Sequence, residues 1–300
     1  MITIETDIGE TIPERDVLID ADCVAYYGAY TCDDLPLRSA TRRVDYRMKQ
    51  IIEETRAETY QGFLTGKYNF RDDIATLRRY KGNRYDKDGN RITNQPKWLP
   101  ECREYLQKQW KCKLVHGEEA DDALGIAQTK NHKKCIDSVI SSIDKDLWII
   151  EGWHHNMNSG LLEYSDYLGF INNYKSKLLG TGKKFFYAQL LMGDTADWIP
   201  GLPKVTEGMV ENYGVRRGGC GAVAAFKTLN DAYTEEECLD RVWKCYKEYW
   251  CNNEYNHWRT GELYKAGEKT ALKQLTEQGR LLWMRTKEGE MWQPKLETLK

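Results

Sequence analysis

Along the first 150 residues, apolar and polar positions alternate in two different rhythms. Asp16-Val17-Leu18-Ile19-Asp20 is a short apolar run closed by a carboxylate, the pattern of a buried strand. Over 41–60, Val44, Met48, Ile51 and Ile52 recur at helical spacing. Further strands are expected over 60–65, 112–116 and, rich in β-branched residues, 136–143; short helices are expected over 98–110 and 118–130. Between the second and third strands lies a polar, basic region with turn chemistry at Tyr80-Lys81-Gly82-Asn83-Arg84 and Asp88-Gly89-Asn90. Strands alternating with helices predict an α/β fold, a mostly parallel sheet flanked by helices. Beyond about residue 182 the pattern turns helical, at 183–192, 204–213, 219–229 and 235–251. The expected organisation is an α/β core over 1–182 followed by a helical part over 183–300.

Composition narrows the class. The chain of 300 residues is 41% hydrophobic and 30% charged, as a globular protein is. No apolar run approaches the ~20 residues of a spanning helix, and the N-terminus has no signal-peptide pattern, so neither a membrane nor export is expected. Nine scattered cysteines without a CxxC pair suit reduced thiols in a cytoplasmic protein, and exclude a disulfide framework and a zinc ribbon. The net charge of −2 hides a segregation. Residues 67–113 hold 13 Lys and Arg against 6 Asp and Glu, whereas 118–166 hold 4 against 10. Such a neighbourhood suits an enzyme that grips a polyanion with one part and cations with the other, although two solvated faces of opposite sign have the same composition.

The acidic residues fall at particular places. Asp20 ends the first strand, with Asp22 two residues on. Glu118-Glu119-Ala120-Asp121-Asp122 follows the third strand, Asp144-Lys145-Asp146 the fourth, and Gly193-Asp194-Thr195-Ala196-Asp197 the helix at 183–192. Each alone reads equally well as helix capping or turn chemistry. Together, at the carboxyl ends of parallel strands, they would repel one another unless cations neutralised them. Oxygen donors without a Cys/His set suit Mg²⁺ or Mn²⁺ rather than zinc, and two such ions about 4 Å apart support phosphodiester hydrolysis. His154-His155 makes no metal pair, because neighbours on a strand point to opposite faces. Cys238, Cys245 and Cys251 read as core or surface thiols, and Trp198, Trp243 and Trp250 as core.

Five motifs then stand in a recognisable order: Leu18-Ile19-Asp20-Ala21-Asp22, Tyr80-Lys81-Gly82-Asn83-Arg84, Glu119-Ala120-Asp121-Asp122, Ser142-Ile143-Asp144-Lys145-Asp146 and Met192-Gly193-Asp194-Thr195-Ala196-Asp197. Over roughly 16–215 the chain resembles the flap endonuclease/5′→3′ exonuclease family, in particular bacteriophage exonucleases and the 5′-nuclease domain of bacterial DNA polymerase I. The segments 280–285 and 291–294 also look like the tail of phage exonucleases. The resemblance implies a PIN-like core with a helical arch over about 81–110 and a helical C-terminal DNA-binding part. Asp20, Glu119, Asp121, Asp122 and Asp144 would build a first metal site, and Asp146, Asp194 and Asp197 a second. Lys81 and Arg84, at the base of the arch, would grip the scissile phosphate, with Arg71 and Lys204 as further nucleic-acid contacts. The implied partner is DNA with a free 5′ end or a 5′ flap, with RNA–DNA hybrids admitted, in a phage replication or recombination role within the host cytoplasm. Two departures stand out. Where many members carry another metal-binding Asp after the second strand, this chain has Gly66. The turn Gly201-Leu202-Pro203-Lys204-Val205-Thr206-Glu207-Gly208 is short in the glycines that hold a potassium ion in the family.

Two other readings use fewer of these residues. Asp20-Ala21-Asp22 resembles the nucleophile motif of haloacid-dehalogenase-type phosphatases, but Val24 stands where their Thr belongs, and Glu119–Asp122 and Lys81–Arg84 are left without roles. A non-catalytic, structure-specific DNA-binding relative is suggested by Gly66.

Overall fold

The structure is a computed structural model in which residues 3–4, 9–92 and 94–298 are described. In chain order the elements are β1 (Thr3–Ile4), β2 (Ile12–Asp20), α1 (Ala21–Ala29), α2 (Leu37–Thr55), β3 (Ala57–Asn69), α3 (Phe70–Ile74), α4 (Leu99–Gln109), β4 (Lys113–Gly117), α5 (Ala120–Lys133), β5 (Ser138–Ser142), β6 (Gly152–Asn156) and β7 (Leu162–Ser165). There follow β8 (Ile171–Tyr174), β9 (Lys177–Gly180), α6 (Gly182–Met192), α7 (Glu207–Tyr213), α8 (Ala222–Leu229), α9 (Glu235–Trp250), β10 (Tyr255–Asn256), β11 (Leu263–Tyr264) and α10 (Glu268–Leu282). The chain divides into two compact units. One comprises Met1–Asn69, Thr93–Ser165 and Met284–Glu290; the other comprises Phe70–Ile92, Asp166–Trp283 and Met291–Lys300.

The first unit is an α/β fold around a sheet of order β1-β7-β6-β5-β2-β3-β4. Its five strands from β6 to β4 run parallel, β7 pairs antiparallel with β6, and β1 antiparallel with β7. Side chains alternate between faces along each strand. Val17 and Ile19 of β2 turn to a core shared with Val24 and Ala25 of α1, Val44, Met48 and Ile51 of α2, and Leu99, Cys102 and Leu106 of α4. Asp16, Leu18 and Asp20 turn to the other face, where Asp16 accepts from Asn131 of α5 at 3.3 Å. Helices therefore cover both faces, as buried parallel strands require.

One expectation fails here for an identifiable reason. The helix expected to run to residue 60 stops at Thr55: Arg56 takes a left-handed conformation (φ 56°), and Ala57 enters β3 opposite Ile12. Within 81–110 the described residues hold turns first and then the short helix expected over 98–110. Gly82–Arg84 forms a 3₁₀ turn, Tyr85 and Arg91 bridge, and only Leu99–Gln109 is α-helical; Thr93 lies outside the described residues.

The second unit centres on α6, whose buried Phe186 meets Trp283 and Trp292 edge-on at centroid distances of 5.0 and 5.3 Å. Glu277 of α10 is buried and holds the segment after α3: its Oε1 accepts from the backbone N–H of Thr76 at 2.8 Å and of Leu77 at 3.0 Å. Trp250 is core, as expected. Trp198 is not: it is 39% exposed in the turn after α6, with the Arg78 guanidinium 4.6 Å over its ring. No helix of the described residues is long and apolar enough to cross a membrane.

Candidate active site

Alternation along β2 leaves its last residue, Asp20, on the α5 face beside the end of the parallel neighbour β5. Asp20 caps α1, its Oδ1 accepting from the Cys23 backbone N–H at 3.1 Å. Its Oδ2 accepts from the Cys23 thiol and from Ser142 Oγ, each at 2.8 Å. Ser142 ends β5, and its Oγ also accepts from the Asp144 backbone N–H at 3.0 Å. Asp144 Oδ1 in turn accepts from the Asp146 N–H at 2.8 Å, and Asp146 pairs with Lys145 at 2.8 Å. One serine thus links the Asp20 carboxylate at the end of β2 to the backbone of Asp144 just beyond β5. Asp121, in the first turn of α5, belongs to the same neighbourhood: burial first, then the Asp20 and Asp121 carboxylates, push the Cys23 thiol far above its ordinary range.

Not every expected acid is placed alike. Asp122 is fully buried; its Oδ1 accepts from the Arg285 N–H and its Oδ2 from the Glu119 N–H, both at 3.2 Å. With Glu119 it forms the capping box of α5, so for these two residues the capping alternative describes their contacts. Glu118 pairs with Arg285 at 2.9 Å.

At Gly66 the absent carboxylate has no room. A Cβ there would stand 2.3 Å from the Val115 carbonyl oxygen and 2.6 Å from His116 Nδ1. At the preceding residue, Thr65, a cation is held. Arg103 of α4 donates through Nη1 to Asp22 Oδ1 and through Nη2 to the Thr65 carbonyl, while Asp22 Oδ2 accepts from the Thr65 N–H at 2.8 Å. Burial draws Arg103 below its ordinary pKa and the Asp20 carboxylate pulls it back up. Sequence reasoning missed Arg103, which lies in no motif, and gave Ser142 no role although it opens the motif Ser142-Ile143-Asp144-Lys145-Asp146; the fold brings the one to Asp22 and the other to Asp20.

In donor chemistry the group suits a hard divalent cation: Asp20, Asp121 and Asp144 offer carboxylate oxygen, and the one nearby thiol is held protonated. Among the described residues, no three His, Cys, Asp or Glu side chains already form a cation cage.

In the second unit, Gly193 and Gly201 (φ 72° and 63°) let the chain double back in a tight loop. At either glycine a Cβ would come within 2.3 Å of backbone. Asp194 and Ile199 exchange backbone hydrogen bonds at 2.8 and 2.7 Å, and Asp194 Oδ1 accepts from the Ala196 N–H at 2.6 Å. Asp197 accepts from Tyr80 Oη at 2.8 Å and Arg84 Nη2 at 3.1 Å, with Lys81 Nζ at 3.5 Å. Two cations expected to hold phosphate and a carboxylate expected to hold metal therefore form one ion-paired group. Lys204 is exposed in the loop before α7. Arg71 corrects its expectation: it is fully buried, donating to the carbonyls of Leu281 at 3.0 Å and Trp283 at 2.7 Å, where no phosphate reaches it. Gly218, Gly219 and Gly221 lead into α8 beside exposed Arg216 and Arg217.

Fold and site together define an α/β protein whose parallel strands end in a bridged carboxylate network. No family model and no curated protein matches the chain. It is similar to solved structures from bacteriophage T5. One is a pseudo-enzyme–product complex of the T5 flap endonuclease with DNA and metal ions, 17% identical, covering 77% of this chain and 88% of that one, at a TM-score of 0.49. Another is the T5 5′-exonuclease with bound divalent metal ions (zinc), 17% identical over 77% of this chain and 89% of that one, at 0.47.

Proposed function

We propose that the chain is a divalent-metal-dependent 5′-nuclease that hydrolyses phosphodiester bonds in DNA bearing a free 5′ end or a 5′ flap, in the setting of phage replication or recombination. The observation that carries the reading is the Asp20–Ser142–Asp144 bridge at the carboxyl ends of β2 and β5, where ligands of parallel sheets bind. The ordered motifs of the sequence support it.

Two ions, Mg²⁺ or Mn²⁺, would supply Lewis acidity and a hydroxide-like water at the scissile phosphate. Asp20, Asp121 and Asp144 would hold one, with Glu119 and Asp122 setting the start of α5; for the other, it is the sequence resemblance that names Asp146, Asp194 and Asp197. Ser142 donates to Asp20 and so fixes which carboxylate lone pairs remain for a cation. Lys81 and Arg84 balance Asp197 as the chain stands, and each time a phosphate binds they would exchange that partner for the substrate. Lys204 would add a backbone contact to duplex DNA. A 5′-phosphate on the product and no covalent intermediate are expected.

The test uses a 5′-flap DNA and a blunt duplex, each labelled at both ends, with Mg²⁺, Mn²⁺ or EDTA. Metal-dependent release of 5′-phosphorylated fragments by the wild type and its loss in Asp146→Ala, with DNA binding retained, is the expected result. The crowding at Gly66 favours a second reading, a DNA-binding relative without turnover. Structure-specific binding with no cleavage in either metal would select it.

A further inference from the structure

Asp22 ends the first motif and Arg103 lies in none, and neither has a role in the reading above, yet Asp22 stands two residues from Asp20 and is paired with Arg103. The guanidinium closes a four-part arrangement with the Asp22 carboxylate and both backbone groups of Thr65. Thr65 Oγ1 accepts from the Ala120 N–H at 3.0 Å, so the same residue is tied to the first turn of α5, where Asp121 stands. Arg103 is not a drifting surface cation. Its helix is anchored by buried Leu99, Cys102 and Leu106, and its side chain is only 25% exposed. A charge pinned in this way acts on its neighbours continuously, whereas exposed pairs trade freely with water and salt.

We propose that Arg103 is a built-in counter-ion of the carboxylate cluster: paired with Asp22 beside Gly66, it fixes one positive charge next to Asp20 and weakens the cluster's hold on divalent cations. The inference rests on the nuclease reading for the existence of a cation site, and adds a positioning residue that sets how tightly that site is filled. The physical reason is charge count. A cation bound by carboxylates is held less firmly as their net charge falls. Here Asp22 is neutralised by the protein itself, through Arg103. A plain structural tether between α4 and β3 would have the same contacts but no effect on cation affinity.

The full chain, without DNA, is titrated with Mn²⁺ while the spectrum of the free ion is followed by electron paramagnetic resonance. Arg103→Gln should bind Mn²⁺ about tenfold more tightly than the wild type, a change of about 1.4 kcal/mol. Arg103→Lys should resemble the wild type. Asp22→Asn, which leaves the guanidinium unbalanced, should bind about tenfold more weakly, and the double variant Asp22→Asn with Arg103→Gln should return to wild-type affinity. Thermal melts with and without Mn²⁺ check folding, and Arg103→Gln should gain the larger stabilisation. If Arg103→Gln does not fold, the loss of affinity in Asp22→Asn decides alone. Equal affinities in all variants would make Arg103 a tether and leave the nuclease reading standing. Absence of binding in every variant, including the wild type, would remove the cation site and both readings with it. Binding by Arg103→Gln alone would uphold the counter-ion and show that the natural chain is not a cation-dependent nuclease.

Discussion

His154 and His155 are neighbours on β6 and face different worlds. His155 bridges Ser141 Oγ at 2.8 Å and Glu54 at 2.9 Å, whereas His154 bonds the Ile150 carbonyl at 2.8 Å and stacks on Trp148. The alternation of a strand thus separates their side chains, as the sequence implied. Burial lowers the His154 pKa from 6.5 to about 4, against the opposing pull of its hydrogen bond to Ile150. The unfolded chain takes up that proton near pH 6.5 and the folded one only near pH 4. Stability is therefore complete above pH 6.5 and falls as pH drops from 6.5 toward 4, by about 3 kcal/mol. Burial also works against the charge of Glu54, but hydrogen bonds from His155 and Gln50 outweigh it and hold that carboxyl below its ordinary range, so its contribution is lost in the same direction at lower pH. Melting curves of the wild type at pH 7 and pH 4.5 should differ more than those of His154→Gln; parallel losses would place the acid sensitivity elsewhere.

At the scale of elements, α1 shows why a helix can be hard to see. Ala21-Asp22-Cys23-Val24-Ala25-Tyr26-Tyr27-Gly28-Ala29 has no polar face contrasting with its buried one, because the opposite side carries Cys23, Tyr26 and Tyr27 beside Asp22. Its closeness to α2 depends on Gly28, where a Cβ would lie 2.4 Å from Val44 Cγ2 and 3.1 Å from the Ala40 carbonyl. Gly28→Ala should force the two helices apart, destabilising by about 1–3 kcal/mol and lowering the melting temperature. Gly219→Ala, with open space around it and φ outside the left-handed region, is the matched control and should melt like the wild type. β6, met in the sequence only as the strand carrying His154 and His155, gives no periodic signal of its own. Gly-Trp-His-His-Asn reads as polar, and it becomes a strand because β5 on one side and β7 on the other complete its ladder. β7, the hairpin of β8 and β9, and α10 also escaped the sequence reading. The clearly periodic helices α2, α4, α5, α6 and α9 and the apolar strands β2 and β5 did not, since their signal is local.

For the whole molecule, the net charge of −2 and pI near 6.3 give DNA no general attraction, so any affinity must come from local cations such as Lys81, Arg84 and Lys204. Lys204→Ala should lower the slope of log affinity against log salt by about 1, uniformly across DNA sequences; an unchanged slope would remove Lys204 from the interface. The sequence by itself determined the α/β class, the order of the principal elements and the acidic residues at their ends, because hydrophobic period and turn chemistry act over a few residues. It did not determine what those acids do. That Asp20 meets Ser142, that Asp197 is balanced by Lys81 and Arg84, that Asp122 caps a helix and that Arg71 is buried among carbonyls are matters of long-range packing. Arg103 reaches Asp22 from 81 residues away, through a helix placed by its own apolar face. Only the tertiary structure brings such partners within a few ångströms, the range at which one charge sets the work of another.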